Sequence, residues 1–249
     1  MLLLATDTSG KHGSIALARV TAGEDARSTA AGKAALLSGA APVEDSSARS
    51  ELQVIEVVPL AGGTFSAQLV PQIAALLAKR GFTKNDIDCF VVVSGPGSFT
   101  GLRVGLAAIK GLAEILGKPI VAVSLLEATA LTSGLQGTVT ALLDAGRGEV
   151  YVGEYEVAGD SARVVAERLL TREEVWAGAR LNVVTADEAL EREADAAGRS
   201  IRKLEAIDAG TIARLGWRKL LAGETVSPGE LEANYVRRSD AEIFAKNSF

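Results

Sequence analysis

The apolar residues of the chain follow two different spacings. Short apolar runs, some alternating with polar residues, predict β-strands, whereas apolar residues that recur every three or four positions predict amphipathic helices. The predicted strands are residues 2–6, 13–18, 52–60, 90–93, 119–123, 139–143, 149–155 and 182–185. The predicted helices are residues 64–79, 102–116, 125–133, 187–197 and 209–221, with a short helix after the capping-box residues Thr171 and Glu174. Strands that alternate with helices are typical of an α/β fold.

Two stretches of the chain share one pattern. In each, a strand leads into a turn that contains an aspartate and a glycine, and a second strand follows. The aspartates are Asp7 and Asp144, and Gly146 lies in the second turn. Internal repetition of this kind predicts two related halves. Any tight hairpin also favours aspartate and glycine, so the residues alone fit both a structural turn and a ligand-binding turn.

Residues 21–50 interrupt this order. Alanine, glycine and serine are abundant there, charges are scattered among them, and the spacing typical of strands and helices is missing. Small side chains offer little apolar area to pack against the rest of a domain. We therefore predict a long, mobile excursion between the second and third strands.

The most distinctive motif is a glycine-rich loop between a buried strand and a long helix, at residues 94–105. Its glycines allow backbone angles that other residues avoid, and either Ser98 or Thr100 can cap the helix. The N–H groups of such a helix start can hold an anion, although spacing alone favours an ordinary connection between strand and helix. The central residues of the loop are Gly95, Gly97, Ser98, Phe99, Thr100 and Gly101.

The spacing of this loop excludes the familiar glycine motifs of enzymes. A dinucleotide-binding G-x-G-x-x-G would need glycine where the chain has Thr100. A phosphate-binding P-loop needs Lys-Ser or Lys-Thr after its last glycine, but Lys110 lies inside the predicted helix and is followed by Gly111. Neither Ser94 nor Ser98 has the two flanking glycines of a hydrolase nucleophile.

Composition narrows the class of protein. The 249 residues are 48% hydrophobic, which suffices for one domain or two small ones. A net charge of −5, from 31 acidic and 26 basic side chains, disfavours a protein that holds RNA by itself. The single cysteine, Cys89, excludes an internal disulfide and fits a reducing cytoplasm, and the single histidine, His12, cannot make a multi-histidine metal site. No apolar run approaches the roughly 20 residues that span a membrane.

The paired aspartate turns resemble the two phosphate-binding hairpins of the actin, sugar-kinase and Hsp70 superfamily. In that superfamily, backbone N–H groups of both turns hold the phosphates of a nucleotide, and carboxylates hold its metal ion. The resemblance implies a weak or vestigial nucleotide cleft at Asp7, Asp144 and Gly146. A nucleotide-dependent phosphotransferase is therefore one hypothesis for the function, although no distinct adenosine-binding segment follows the second turn.

The ordered set of motifs resembles the bacterial TsaB (YeaZ) family, whose members take part in making threonylcarbamoyladenosine in tRNA. The matching pieces are the glycine-rich loop and the segments 5–8, 69–71, 110–113, 123–125, 144–151 and 235–237. The resemblance implies two RNase-H-like α/β lobes of the actin, sugar-kinase and Hsp70 superfamily. The expected divisions are lobes at 1–116 and 117–208, then residues 209–249, whose helix 209–221 packs back on the first lobe.

The same resemblance implies a non-catalytic subunit in the cytoplasm, with no catalytic or metal-binding residue of its own. Such a subunit binds the homologous catalytic subunit TsaD as a heterodimer, acts with the ATPase TsaE, and meets tRNA only through the complex. ATP or ADP and Mg²⁺ would belong to the assembled complex, and a homodimer is the alternative when TsaD is missing. The residues that the resemblance places near TsaD are Leu69, Ile73, Arg103, Leu106 and Lys110.

Overall fold

The computed structural model describes residues 1–21, 51–178 and 180–236, which divide into two compact units. The first unit continues to residue 123, beyond the expected lobe end at 116, and it also takes in residues 208–232. The second unit consists of the described residues in 95–97, 124–207 and 233–236. Most of the excursion predicted at 21–50, and the tail beyond 236, lie outside the described residues.

A five-stranded mixed sheet forms the centre of the first unit. Its strands are β1 (Leu2–Asp7), β2 (Gly13–Thr21), β3 (Glu51–Leu60), β4 (Cys89–Gly95) and β5 (Ile120–Ser124). The strand order is β3-β2-β1-β4-β5. Strand β2 is antiparallel to both β1 and β3, whereas β1 and β4 are parallel. Because β5 belongs to this sheet, the first unit extends past the helix that ends at Leu116.

Helices cover both faces of the first sheet. They are α1 (Phe65–Lys79), α2 (Phe99–Leu116) and, near the end of the chain, α6 (Ala209–Leu221). Helix α6 packs against β1, β2 and β3, and it also approaches β4 so closely that a Cβ added at Gly216 would lie 2.3 Å from the Val91 side chain. A Cβ at Gly13 would lie 2.8 Å from the Phe65 ring, which places α1 on the opposite face because strand residues alternate between faces.

Helix α2 follows directly from its sequence. Ser98 is its N-cap, and Gly117 ends it in the left-handed conformation with φ of +61°. Its apolar positions recur at helical spacing, and the side chains of Leu102, Leu106 and Ile109 are buried. The helix begins three residues before the predicted start at 102, because capping at Ser98 allows the first turn to form before the buried apolar stripe starts at Leu102.

A second five-stranded mixed sheet forms the centre of the second unit. Its strands are β6 (Gly137–Gly146), β7 (Glu149–Ala158), β8 (Ser161–Thr171), β9 (Val183–Thr185) and β10 (Arg202–Lys203). The strand order is β10-β9-β6-β7-β8. Its helices are α3 (Leu125–Thr132), α4 (Arg172–Ala177) and α5 (Glu188–Ala196). Leu126 of α3 packs with Tyr155 in one apolar cluster, and Val175 of α4 and Leu190 of α5 pack with Leu142 in another.

The two units repeat one topology. In each sheet the third, second, first, fourth and fifth strands of the unit lie side by side in that order. The prediction of two RNase-H-like α/β lobes is confirmed. In each unit the helix that follows the fifth strand along the chain packs on the sheet of the other unit. Helix α3 follows β5 but packs on the second sheet, and α6 follows β10 but packs on the first.

Strands β8 and β10 were not predicted from the sequence. Strand β8 pairs with β7 along its length, but the register shifts where Tyr155 faces Val164, and the next pair is Glu154 with Ala166. Val165 is the extra residue of this bulge, so the alternation by which a strand is recognised breaks there. Strand β10 has two residues, too few to show any period.

Two further features concern the chain as a whole. Cys89 is fully buried, and burial together with the neighbouring Asp88 raises the pKa of its thiol to about 12. The thiol is therefore protonated and packed in the core at neutral pH. In the described part of the chain, no helix combines the length and the apolar character needed to cross a membrane.

Candidate functional site

The turn after β1 is held by the carboxylate of its aspartate. Asp7 Oδ1 accepts hydrogen bonds from the backbone N–H of Ser9 at 2.8 Å and from the Ser9 hydroxyl at 2.6 Å. The Asp7 side chain is buried. Burial raises its pKa, while the two hydrogen bonds from Ser9 oppose that change. The carboxylate therefore already has a structural role inside the turn.

Helix α2 packs closely against one side of this turn. Thr8 Oγ1 donates to the carbonyl oxygen of Gly101 at 2.8 Å. The Ser98 N–H donates to the carbonyl oxygen of Ser9 at 2.6 Å. A Cβ at Gly101 would lie 2.1 Å from the Thr8 carbonyl oxygen, and a Cβ at Gly105 would lie 2.2 Å from Thr8 Oγ1. Both glycines are therefore required by the close approach of the turn to the helix.

The connection between β3 and α1 closes the turn from another side. A Cβ at Gly62 would lie 1.8 Å from the carbonyl oxygen of Lys11, and a Cβ at Gly13 would lie 2.6 Å from the carbonyl oxygen of Asp7. The turn is thus enclosed by backbone on two sides. The Ser9 N–H, a group that a phosphate-binding turn would offer to its ligand, is bonded to Asp7 instead.

Asp7→Asn is expected to stabilise the protein at pH 7 by about 1–3 kcal/mol, because asparagine keeps the acceptor for Ser9 and removes a buried charge. The folded-state pKa of Asp7 lies above its ordinary value of 3.8. Below pH 3.8 the carboxyl is mostly protonated in both the folded and the unfolded protein, so its ionisation costs no stability there. The cost appears as the pH rises through the folded-state pKa.

Urea unfolding of both proteins at pH values from about 4 to 8 measures this difference. The advantage of the asparagine variant should shrink toward the acid end of the range. An asparagine variant that is less stable than the parent protein at pH 7 would contradict the expected cost of burying Asp7.

The glycine-rich loop is a capped helix start. The Gly101 N–H donates to Ser98 Oγ at 3.3 Å, so Ser98 rather than Thr100 caps the helix. Gly95 has φ of +126°, a conformation that favours glycine, whereas Gly97 is not at positive φ. The expectation of an unusual backbone conformation is confirmed for Gly95 and is wrong for Gly97.

The second aspartate turn, in the second unit, is stabilised by an ion pair. Asp144 Oδ1 accepts from the Gly146 N–H at 2.9 Å and lies 2.8 Å from Arg172 Nη2. Arg172 also pairs with Glu193 at 2.5 Å. A metal ion at Asp144 would have to compete with this guanidinium. Across the described residues, no group of three or more His, Cys, Asp and Glu side chains is arranged to hold a metal ion.

The apolar residues expected near a partner lie in the core of the first unit. Leu69 is 1% exposed, Ile73 is 4% exposed and Leu106 is 5% exposed. Each helix turns its apolar stripe to the interior of the unit, so these three side chains lie beneath the helices and not on an exposed surface. Arg103 is exposed and Lys110 is half-buried. The sequence shows the stripe but does not tell which surface covers it.

The opposite faces of α1 and α2 carry apolar side chains in water. Val70 is 48% exposed, Phe99 is 40% exposed and Ile115 is 77% exposed. The Arg103 guanidinium lies 3.7 Å above the centre of the Phe99 ring. The two helices contact each other. We call the surface that they share the outer helix face, formed by Ala67, Val70, Ala74, Ala78, Phe99, Arg103, Ala107, Gly111 and Ile115.

A polar cluster in the second unit holds the segment that contains Asn234. Glu167 accepts a short hydrogen bond from the Tyr155 hydroxyl and another from Ser124 Oγ at 3.1 Å. Asn234 Nδ2 donates to the other oxygen of Glu167 at 2.6 Å. Burial and the Glu167 carboxylate raise the pKa of Tyr155. Sequence analysis missed this cluster because its members are far apart in the chain.

Tyr155→Phe is expected to lower the free energy of unfolding by about 1–2 kcal/mol, because it removes the hydroxyl that donates to a charged acceptor. Tyr151→Phe is the matched control, since Tyr151 is also buried and makes no hydroxyl hydrogen bond to the described residues. The control should stay within about 0.5 kcal/mol of the parent protein. Equal losses in both variants, measured by urea unfolding, would show that the hydroxyl of Tyr155 is not what matters.

The sequence is similar to proteins of tRNA modification. The family described as TsaD, tRNA N6-adenosine threonylcarbamoyltransferase, matches residues 57–205. The tRNA threonylcarbamoyladenosine biosynthesis protein TsaB of Bacillus subtilis (strain 168) is 35% identical over 109 residues, which are 43% of this chain and 48% of that protein. The chain therefore aligns with about half the length of this relative. The uncharacterized protein Rv3421c of Mycobacterium tuberculosis is 31% identical over 198 residues, 79% of this chain and 87% of that protein.

Solved structures show the same fold. YeaZ from Pseudomonas aeruginosa matches with a TM-score of 0.62 at 24% identity, over 94% of this chain and 100% of that chain. The family match spans more than half of the chain, and the relatives named TsaB and the fold of YeaZ agree with it. The chain belongs to the family described as TsaD, tRNA N6-adenosine threonylcarbamoyltransferase, and its resemblance to the TsaB (YeaZ) proteins is confirmed.

Proposed function

We propose that this chain is a non-catalytic subunit in the biosynthesis of threonylcarbamoyladenosine in tRNA. The relatives named TsaB support the pathway. The outer helix face is the observation that carries the subunit role, because large apolar side chains exposed on two contacting helices are typical of an interaction site. The partner that we propose for this face is the homologous transferase TsaD, in a heterodimer.

The composition of the outer helix face suits a helical partner. Its central positions are alanine and glycine, which allow a second helix to approach closely. Phe99 and Ile115, near the two ends of α2, supply apolar area, and Arg103 supplies a charge beside it. Aromatic side chains and arginine are enriched where proteins bind one another. A stable interface of ordinary size buries about 1,600 Å² in total.

The two aspartate turns support a subunit without catalysis of its own. Asp7 is bonded to Ser9 under α2, and Asp144 is paired with Arg172. A nucleotide-dependent phosphotransferase would need these carboxylates for its metal ion, so that hypothesis has less support. In this proposal ATP or ADP and Mg²⁺ act in the assembled complex, together with TsaE and tRNA, in the cytoplasm.

The test is tRNA threonylcarbamoylation by the cognate TsaD and TsaE, supplied with ATP and threonylcarbamoyl-adenylate, with and without this chain. We expect product formation to rise at least about tenfold when the chain is present, a change of about 1.4 kcal/mol in the barrier. Full activity without the chain would overturn the proposal. ATP-dependent phosphorylation of a small substrate by the chain alone would favour the phosphotransferase.

A further inference from the structure

A cavity of about 230 Å³ lies in the second unit, between the end of α4 and the loop that follows α5. Its apolar part is formed by Leu142, Val175, Trp176 and Val183. Its polar part comes from two loops, which contribute Arg180 on one side and Arg199 and Ser200 on the other. Since one water occupies about 30 Å³ of the liquid, the cavity has room for a small organic molecule rather than a nucleotide.

Arg180 is held rigidly at this cavity. Its Nη1 donates to the carbonyl oxygen of Val175 at 2.5 Å and to that of Glu174 at 3.3 Å, at the end of α4. The guanidinium also lies against the backbone of Gly178, where a Cβ would be 2.4 Å from Nη1. A side chain that is fixed in this way offers its remaining N–H groups in a preorganised direction.

One of those groups lacks an acceptor. Arg180 Nε is buried and has no hydrogen-bond partner among the described residues. A buried donor without a partner is unusual in a folded protein and lowers its stability. An oxyanion that meets the guanidinium along its Nε edge would accept two parallel hydrogen bonds, which is the preferred geometry of arginine with carboxylate or phosphate.

The charge around the cavity is positive. Arg180 and Arg199 both line it, and in the part of the chain that the structure describes neither forms an ion pair with a carboxylate. The hydrogen bonds from Thr171 lower the pKa of Glu174, and the nearby charge of Arg180 lowers it further. The carboxylate of Glu174 is already engaged by the backbone N–H and hydroxyl of Thr171, at 2.8 and 3.0 Å.

We propose that this cavity, with Arg180 and Arg199 beside an apolar floor that includes Trp176, binds a small organic anion whose carboxylate or phosphate head meets the guanidinium groups. The body of the ligand is apolar and rests on Leu142, Val175 and Val183. This site is independent of the proposed partner of the outer helix face, because it lies on other elements of the chain.

The proposal is tested by nuclear magnetic resonance of the full chain, with the indole N–H signal of Trp176 as the probe. The chain has two tryptophans, so Trp176→Phe identifies the signal. Benzoate, phenyl phosphate and inorganic phosphate are titrated separately. Benzamide, which has nearly the shape of benzoate but no charge, is the control. We expect a saturable shift at concentrations up to about 10 mM with benzoate or phenyl phosphate, and a weaker one with inorganic phosphate, which lacks an apolar body.

Charge-removing variants complete the test. Arg180→Gln and Arg199→Gln should each weaken binding at least about tenfold, because each removes a charge-assisted hydrogen bond. Arg192→Gln is the matched control: it removes the same charge from an exposed position of α5 that does not line the cavity, and it should bind like the parent protein. Thermal unfolding of each variant separates lost binding from lost folding.

Three results would overturn the proposal. They are no saturable shift with either aromatic anion, equal binding of benzamide and benzoate, or unchanged affinity in folded Arg180→Gln and Arg199→Gln variants. A preference for benzoate would identify the head as a carboxylate, and a preference for phenyl phosphate would identify it as a phosphate.

Discussion

Gly101→Ala is expected to lower the free energy of unfolding by at least about 2 kcal/mol, although alanine is the better helix former. The added Cβ would lie 2.1 Å from the carbonyl oxygen of Thr8, and real atoms do not approach so closely. Relief would require the turn of Asp7 to leave α2, and that movement would break the hydrogen bond from Thr8 Oγ1 to the Gly101 carbonyl. Urea unfolding followed by circular dichroism measures the loss.

Gly111→Ala is the matched control for this prediction. Gly111 lies in the same helix, and a Cβ there would meet nothing within 4 Å. The control should stabilise the protein by up to about 1 kcal/mol through helix propensity alone. Gly105→Ala, whose Cβ would lie 2.2 Å from Thr8 Oγ1, should behave like Gly101→Ala. If all three variants were equally stable, the close packing of the turn on α2 would be refuted.

Val70→Asp is expected to weaken binding to the cognate TsaD about 30-fold or more, which corresponds to about 2 kcal/mol. Val70 is 48% exposed on the outer helix face. A charge buried there against an apolar partner would lack a compensating group. Isothermal titration calorimetry or sedimentation of the mixed proteins measures the affinity, and the stimulation of tRNA modification should fall with it.

Val164→Asp is the matched control for the binding prediction. Val164 is 54% exposed, but it lies on β8 in the second unit, so its replacement should leave the affinity for TsaD unchanged. Leu106→Glu would not test the interface, because Leu106 is 5% exposed and the substitution would disrupt the core. Undiminished binding of a folded Val70→Asp variant would place the partner on another surface.

Periodicity in the sequence was enough to predict most of the fold. The last helix was predicted at 209–221 and is found at Ala209–Leu221. The repeated turns at Asp7 and Asp144 indicated two halves, and both sheets have the same strand order. These predictions succeeded because each depends on neighbouring residues, whose spacing alone decides whether a helix or a strand can bury its apolar side.

Contacts between distant residues could not be predicted. Thr8 and Gly101 are 93 positions apart, so no local pattern links the turn to the glycine that accommodates it. The apolar stripes that include Leu69 on α1 and Leu106 on α2 have the same spacing whether a sheet or a partner protein covers them. Arg180 and Arg199 line one cavity only because the fold brings their two loops together. In each case the missing information was which surfaces meet.

The exchange of α3 and α6 between the halves has a consequence for synthesis on the ribosome. The first sheet is complete once β5 has emerged, yet the helix that covers one of its faces ends at Leu221. Until that residue leaves the exit tunnel, the surface around Val91 has no cover and is open to chaperones and to other nascent chains. Translation that stops after β5 would therefore yield a fragment with an exposed apolar sheet, and expression of the first half alone should yield an insoluble product.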